Sequence, residues 1–245
     1  MEEESMGRFD GRTALVTGAA SGIGAATARQ LAREGAHVLV ADINDPSGVA
    51  QETGGEPIHL DVADAASWEN ALAGRTIDLG VLNAGVGARF TDLLELDPHL
   101  VRNVMNVNVD GVIIGTKELA RAMAGRPGAI SVTASIAGVA AHTQSPVYGA
   151  SKWAVLGWVR AIAPALSERN ITINAVCPGL VDTPILGPGG GDLMRSMGMN
   201  MLDADEVAQV HADVLAGDTT GEVLIVQAGR VPSAHTFAGV EGYQG

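Results

Sequence analysis

Tyr148 and Lys152 stand four residues apart in Tyr148-Gly149-Ala150-Ser151-Lys152, in a chain with only two tyrosines. On a helix, side chains at that spacing share one face. The pair sets a phenol beside an ammonium, whose charge favours the phenolate, so the spacing predicts a phenol pKa drawn down towards neutrality. Such a phenol can take a proton from an alcohol or return one to a ketone. A lysine on a helix face is more often a plain solvated charge, so the pair gains meaning only from what surrounds it.

A second constellation binds rather than reacts. Thr17-Gly18-Ala19-Ala20-Ser21-Gly22-Ile23-Gly24 follows a short run of strand-forming residues and leads into a helical pattern. Glycines at 18, 22 and 24 permit a tight turn and a close approach of backbone to a ligand. The helix start then offers free N–H groups and a positive dipole to a phosphate. The G-x-G-x-x-G/A spacing is not met, because counting from Gly22 and Gly24 its last position falls on Thr27. A glycine-rich structural turn is the plainer alternative. Asp42 closes the next strand, in Val38-Leu39-Val40-Ala41-Asp42. A carboxylate there accepts hydrogen bonds from the ribose hydroxyls of NAD and repels the 2′-phosphate of NADP. Neither Ser21 nor Ile43 supplies an offsetting cation, so NAD is the predicted cofactor.

The elements that must position these residues alternate. Strands are predicted over 12–17, 37–41, 57–60, 77–82, 129–133, 171–176 and 222–226, with helices notably over 22–34, 98–123, 148–168 and 204–215. Most strands are runs of Val, Ile and Leu without polar alternation, the mark of strands buried on both faces. The fold class is therefore α/β, a single-domain Rossmann-type doubly wound parallel sheet of about seven strands with helices on both faces. The domain is placed at 10–229, between a disordered N-terminal tail at 1–9, acidic at its start, and a C-terminal tail at 230–245. The helix from Tyr148 carries Trp153, Val155, Leu156, Trp158, Val159 and Ile162 around its circumference. Apolar all round, it must be covered on both sides, by a second subunit or by full burial inside the domain. Pro164 should bend its last turns.

Composition narrows the function classes. The 245 residues carry a formal net charge of −13, which disfavours nucleic acid and anionic membranes as partners. Cys177 is the single cysteine, so neither an internal disulfide nor a cysteine-based zinc cluster can form, and a small buried apolar role is expected. The six histidines are scattered without metal-ligand spacing, and no metal is expected. There is no G-x-S-x-G elbow and no H-E-x-x-H. The start of the chain lacks an apolar segment and no run reaches the length of a membrane span, so a cytoplasmic protein is expected.

Taken together, these motifs resemble the short-chain dehydrogenase/reductase family in its compact single-domain branch, over about residues 12–226. The turn with Gly18, Ser21, Gly22, Ile23 and Gly24 is similar to the family's TGxxxGxG. Asp61-Val62 resembles the pair that holds the adenine ring. Asn83-Ala84-Gly85 resembles NNAG, with Leu82 in place of the first asparagine. Asn108, Ser135, Tyr148 and Lys152 resemble the catalytic set, with Ser135 thirteen residues before Tyr148. Pro178, Gly179, Val181 and Thr183 resemble the segment that holds the nicotinamide. The resemblance implies hydride transfer between NAD and a secondary alcohol or ketone, in a homotetramer. Tyr148 would be general acid or base, Lys152 would lower its pKa and bind the ribose, and Ser135 would hold the substrate oxygen. Asn108 would hold a water between Lys152 and solvent, and Thr183 would fix the carboxamide. The rivals are an NADP-dependent carbonyl reductase and a catalytically idle NAD-binding scaffold.

The substrate side is less legible. Residues 184–202 combine glycines with Met194, Met197, Met199 and Met201, which suits a mobile lid with an adaptable apolar underside, so an apolar or mixed alcohol is expected. Arg195 and Arg89 are candidate anion contacts near the pocket, and His142 is a candidate for lining it. The C-terminal stretch departs from the family in reading Gln227-Ala228-Gly229 where many members carry a glycine pair.

Overall fold

The structure is a computed structural model that describes residues 6–88 and 92–239. Seven strands run parallel: β1 (Thr13–Thr17), β2 (His37–Asp42), β3 (Glu56–His59), β4 (Leu79–Leu82), β5 (Gly128–Thr133), β6 (Ile171–Pro178) and β7 (Val223–Val226). The order across the sheet is β3-β2-β1-β4-β5-β6-β7, with a short β8 (Ser233–Ala234) beyond β7. The chain therefore starts at the centre, winds outward to β3, and returns to pair β4 with β1. The crevice at that reversal, beyond the carboxyl ends of the strands, is where ligands bind in open α/β sheets. Parallel pairing also brings every strand's carboxyl end to one edge. Thr17, Asp42, Asp61, Asn83, Ser135 and Pro178 all lie at or just after a strand end and so share that edge.

Each strand feeds both faces. Leu15, Leu39, Ile130 and Ile173 pack with Trp68, Leu119, Val155, Leu156 and Val159 on one side. Val16, Val38, Val40, Leu79 and Val81 pack with Phe9, Leu31, Ala212 and Leu215 on the other. The residues of helices α1 (Gly22–Arg33) and α8 (Ala204–Ala216) thus cover one face, and those of α3 (Ala65–Leu72), α5 (Gly111–Ala122) and α6 (Pro146–Ser167) the other. A short α2 (Ser47–Thr53) links β2 to β3.

Four features differ from the sequence expectation. An eighth strand, β8 (Ser233–Ala234), pairs antiparallel with β7, so the sheet has eight strands rather than about seven. Phe237 in that same tail lies under the Arg160 guanidinium at 3.9 Å, so the tail beyond residue 229 is stitched onto the domain as far as Phe237. The fold also begins before residue 10. Phe9 is only 1% exposed, and Arg8 pairs with Glu34 and Asp213. The predicted helix 98–123 divides into α4 (Pro98–Met105), a π-helical turn (Asn106–Asp110) and α5. Of the two ways of covering α6, full burial inside the domain is not the one observed: Val155, Leu156 and Val159 are buried, but Trp153 on its other side is 48% exposed. Helical hydrogen bonding continues through Pro164 to Ser167. Among the described residues no helix is long and apolar enough to cross a membrane.

Candidate active site

The glycine turn is shaped by exclusion. Gly18 has φ +64°, and a Cβ there would sit 2.8 Å from Ala84 Cα. At Gly24 a Cβ would collide with the Gly18 carbonyl, and at Gly22 it would come within 3.2 Å of Thr183. The first N–H groups of α1 have no capping side chain. Asp42 Oδ2 accepts from Ala20 N at 2.9 Å, and Oδ1 accepts from Asn44 N at 2.8 Å. Asn44 Nδ2 also donates to Oδ1, at 3.2 Å; a carboxylate has about four lone-pair sites, so one remains for a ribose hydroxyl. The neighbouring Ile43 side chain is exposed and adds no charge. At the end of β3, Asp61 Oδ1 accepts from Ala63 N, while Val62 is buried against Gly111. A cradle of bare glycines, uncapped helix N–H groups and an acidic strand end fit a dinucleotide.

Asn83 braces this turn. Its Nδ2 donates to the carbonyls of Thr17 (3.0 Å) and Gly18 (3.3 Å), and its Oδ1 accepts from Thr133 Oγ1 at 3.0 Å. Ala84 N donates to Thr17 Oγ1. A side chain at Gly85 would come within 3.3 Å of Asn108 Oδ1 and 3.7 Å of Lys152 Nζ, so the bare backbone leaves that space open. Asn108 itself is buried, not solvated. Its Oδ1 accepts from Val86 N, and its Nδ2 donates to Val86 O and to Ser151 Oγ. The π-helical turn is where this asparagine sits, and π segments frequently mark functional positions.

Tyr148 and Lys152 do share one face of α6. The Lys152 Nζ lies 5.6 Å from the centre of the Tyr148 ring and donates to the Thr133 carbonyl at 2.8 Å. The Ser135 hydroxyl accepts from Ala137 N at the start of the following 3-10 turn and is near enough to the phenol to lower its pKa. The electrostatics reverse the spacing-based expectation. Burial pushes the Tyr148 phenol pKa up, and the Ser135 hydrogen bond offsets only part of the rise. Burial acts on Lys152 as well, lowering the ammonium from 10.5 to about 8, so it is still mostly charged at neutral pH. Behind the pair, Cys177 is buried and its thiol is pushed up to about 12 by the same desolvation, which keeps it protonated and inert, in line with its expected apolar role.

The opposite wall is formed by 178–202. Pro178 ends β6, and Val181 pairs with Leu202 in an isolated bridge that closes the base of the loop. Thr183 faces Gly22 across the cleft. The loop holds a 3-10 turn (Pro184–Leu186) and α7 (Gly190–Ser196), with Ile185, Leu193, Met197 and Met199 exposed. Arg195 is not a free anion contact: it pairs with Asp182 and Asp192. His142 lies beside the site, its ring 6.1 Å from that of Tyr148. Arg89 lies outside the described residues.

One participant was not singled out by its sequence position. His211 on α8 is fully buried beneath β5, between the hydroxyls of Ser131 and Thr133. Burial lowers its pKa to about 3, with no charged group contributing. The unfolded histidine protonates near its ordinary value of ~6.5, so between about pH 6.5 and 3 the unfolded chain binds more protons and stability is lost as the pH falls. We expect His211 alone to contribute a slope of up to about 1.4 kcal/mol per pH unit in that window. Urea titrations of the wild type and His211→Gln from pH 7 to 4 measure it, and an unchanged acid slope in the variant contradicts it.

Residues 12–190 match the family described as short chain dehydrogenase. The chain is 35% identical over 242 residues to cis-4-hydroxycyclohexanecarboxylate dehydrogenase of Sinomonas cyclohexanicum, covering 90% of this chain and 97% of that one. It is 34% identical over 205 residues to 3beta-hydroxysteroid dehydrogenase of Mediterraneibacter gnavus, covering 78% and 74%. A short-chain type dehydrogenase/reductase from Mycobacterium marinum superposes with a TM-score of 0.83 at 28% identity, covering 90% and 96%. The chain belongs to the short-chain dehydrogenase/reductase family, oxidoreductases of small molecules that act on hydroxy groups.

Proposed function

We propose that the chain oxidises an alicyclic secondary alcohol to its ketone, with NAD as partner and Tyr148 handling the proton. The observation that carries this reading is the placement of the Tyr148 phenol, the Lys152 ammonium and Ser135 at the same sheet edge as the glycine turn. The relatives' names include a hydroxycyclohexane acid and a hydroxysteroid, both ring alcohols. The exposed apolar side chains of 185–199 suit such a substrate.

Gly18, Ser21, Gly22, Ile23 and Gly24 would hold the pyrophosphate, Asp42 the adenosine ribose, and Asp61 and Val62 the adenine. Asn83, Ala84 and Gly85 would line the centre, with Lys152 on the second ribose and Pro178, Gly179, Val181 and Thr183 along the nicotinamide. Bound there, NAD supplies the hydride acceptor. Ser135 holds the substrate oxygen by a hydrogen bond and steadies charge that develops on it. Tyr148 Oη takes the hydroxyl proton. Asn108 would keep a water in reach of Lys152 through which that proton leaves. The exposed Trp153 face of α6 supports assembly into a homotetramer.

A panel of ring and open-chain secondary alcohols, followed by absorbance of the reduced cofactor, tests the reading. We expect turnover of ring alcohols with NAD at least about 100-fold more efficient than with NADP, since like charges brought together cost several kcal/mol. Asp42→Ala should erase most of that preference. Equal use of both cofactors by the wild type, or no turnover of any ring alcohol, would overturn it.

A further inference from the structure

His211 takes no part in the chemistry proposed above, yet both of its ring nitrogens are engaged. Nδ1 lies 2.7 Å from Ser131 Oγ and Nε2 lies 3.0 Å from Thr133 Oγ1. Ser131 and Thr133 alternate along β5, so their side chains leave the same face of the sheet. That face is covered by α8, whose Ala212 and Leu215 pack with Val16 and Val40; α6, with Tyr148 and Lys152, covers the other face. His211 therefore cannot touch the reacting groups, and any influence it has must pass through β5.

The direction of each hydrogen bond can be worked back from the glycine turn. The carbonyls of Thr17 and Gly18 can only accept, so the Asn83 group that meets them is its NH₂. Asn83 Oδ1 then faces Thr133 and must accept the one hydroxyl proton that Thr133 owns. With that proton committed, Thr133 Oγ1 can only accept from the histidine, so Nε2 carries the hydrogen. In a neutral imidazole Nδ1 is then an acceptor, and Ser131 donates to it. Thr133 is also the residue whose carbonyl receives Lys152 Nζ. A single residue of β5 thus links the turn on one side and the lysine on the other, and His211 is what holds its side chain.

We propose that His211 is a positioning residue for the cofactor site, held as the Nε2–H tautomer so that a one-way chain of hydrogen bonds runs from Ser131 through His211, Thr133 and Asn83 into the carbonyls of the glycine turn. Those carbonyls are thereby held inward, and with the Ala19 N–H donating to the Ala41 carbonyl on the other side the path of the turn is fixed. The role rests on the reading of that turn as a dinucleotide site. An apolar residue at 211 strands the Ser131 hydroxyl and removes the donor that fixes Thr133. A glutamine, with one acceptor and one donor, can replace both contacts.

The experiment has a spectroscopic and a binding arm on the full chain. Side-chain ¹⁵N NMR at neutral pH, with His211 assigned by its loss in His211→Gln, should show a protonated Nε2 and a bare Nδ1. An Nδ1–H or doubly protonated ring overturns the proposal. By NADH fluorescence titration, His211→Leu should raise the dissociation constant about tenfold, while His211→Gln stays within about threefold of the wild type. In a Thr133→Val background, His211→Leu should add little further loss, because both act on one path. A folded His211→Leu protein that has lost thermal stability but binds NADH like the wild type shows a merely structural histidine and overturns the proposal. Should His211→Leu not fold, Ser131→Ala removes the donor to Nδ1 instead and must both loosen the tautomer and weaken NADH binding; an unchanged affinity there is equally fatal. Failure of the functional reading looks different: the wild type then binds neither NADH nor NADPH, and the positioning role falls with it even if the tautomer is as stated.

Discussion

Tyr148→Phe should lower kcat for alcohol oxidation by about 10²–10⁴-fold, the usual contribution of a positioned proton carrier. The substitution deletes one oxygen and keeps the ring, so the packing of α6 beside His142 is preserved and the KM for NAD should change little. The pH profile carries the mechanistic content. Burial raises the phenol pKa, so at neutral pH the hydroxyl of the cofactor-free protein holds its proton. Oxidation needs the deprotonated form and should climb by up to about tenfold per pH unit above neutrality. Ketone reduction needs the protonated form and should stay level over the same range. A variant as active as the wild type, or an oxidation rate that falls as pH rises from 7, removes Tyr148 from the role given to it.

Lys152→Met should separate function from stability. Its activity loss should be at least about 100-fold, since the variant lacks the cation next to the phenol. Its fold should nonetheless gain. The lysine pKa falls from 10.5 to about 8 on burial, so holding the charged form inside costs about 3 kcal/mol at neutral pH. Methionine avoids that cost and fills similar space, but it leaves the Thr133 carbonyl without its 2.8 Å donor, a loss of about 1–3 kcal/mol. The balance is a gain of about 1 kcal/mol at pH 7, or roughly 2–4 °C in Tm for a domain of this size. The sign then changes with pH. Between pH 8 and 10.5 the unfolded lysine still binds its proton while the folded one has released it, so wild-type stability rises with pH and the variant's advantage disappears. Melting curves at pH 7 and 10 decide it: a variant less stable than the wild type at pH 7 contradicts the argument. Such a trade of stability for activity is common where a site must hold a strained or poorly solvated group.

How far the chain could be read without coordinates depends on the kind of feature. Gly18, Gly22 and Gly24 are legible because backbone conformation and close approach demand glycine at particular positions, and Asp42 because a strand end places it beside them. The four-residue step from Tyr148 to Lys152 is legible because helix geometry alone puts both on one face. The apolar runs of β1, β2, β5 and β6 announce a parallel sheet covered on both faces, and that is the architecture observed. The two-residue β8 gave no periodic signal at that length, and the π-helical turn at Asn106–Asp110 breaks the helix without a proline or a glycine inside it.

What the amino-acid order determined by itself, then, is which groups meet through local geometry: the glycine turn, the acidic strand end, the phenol one helical turn from the ammonium. Only the tertiary structure decided the chemical state of those groups. Whether burial or a neighbouring charge dominates the Tyr148 phenol, and whether His211 is a surface base or a neutral link beneath β5, depends on how much solvent remote segments exclude. Desolvation sums over everything packed nearby in space, including residues far away in the chain, and spacing along the chain carries no record of it.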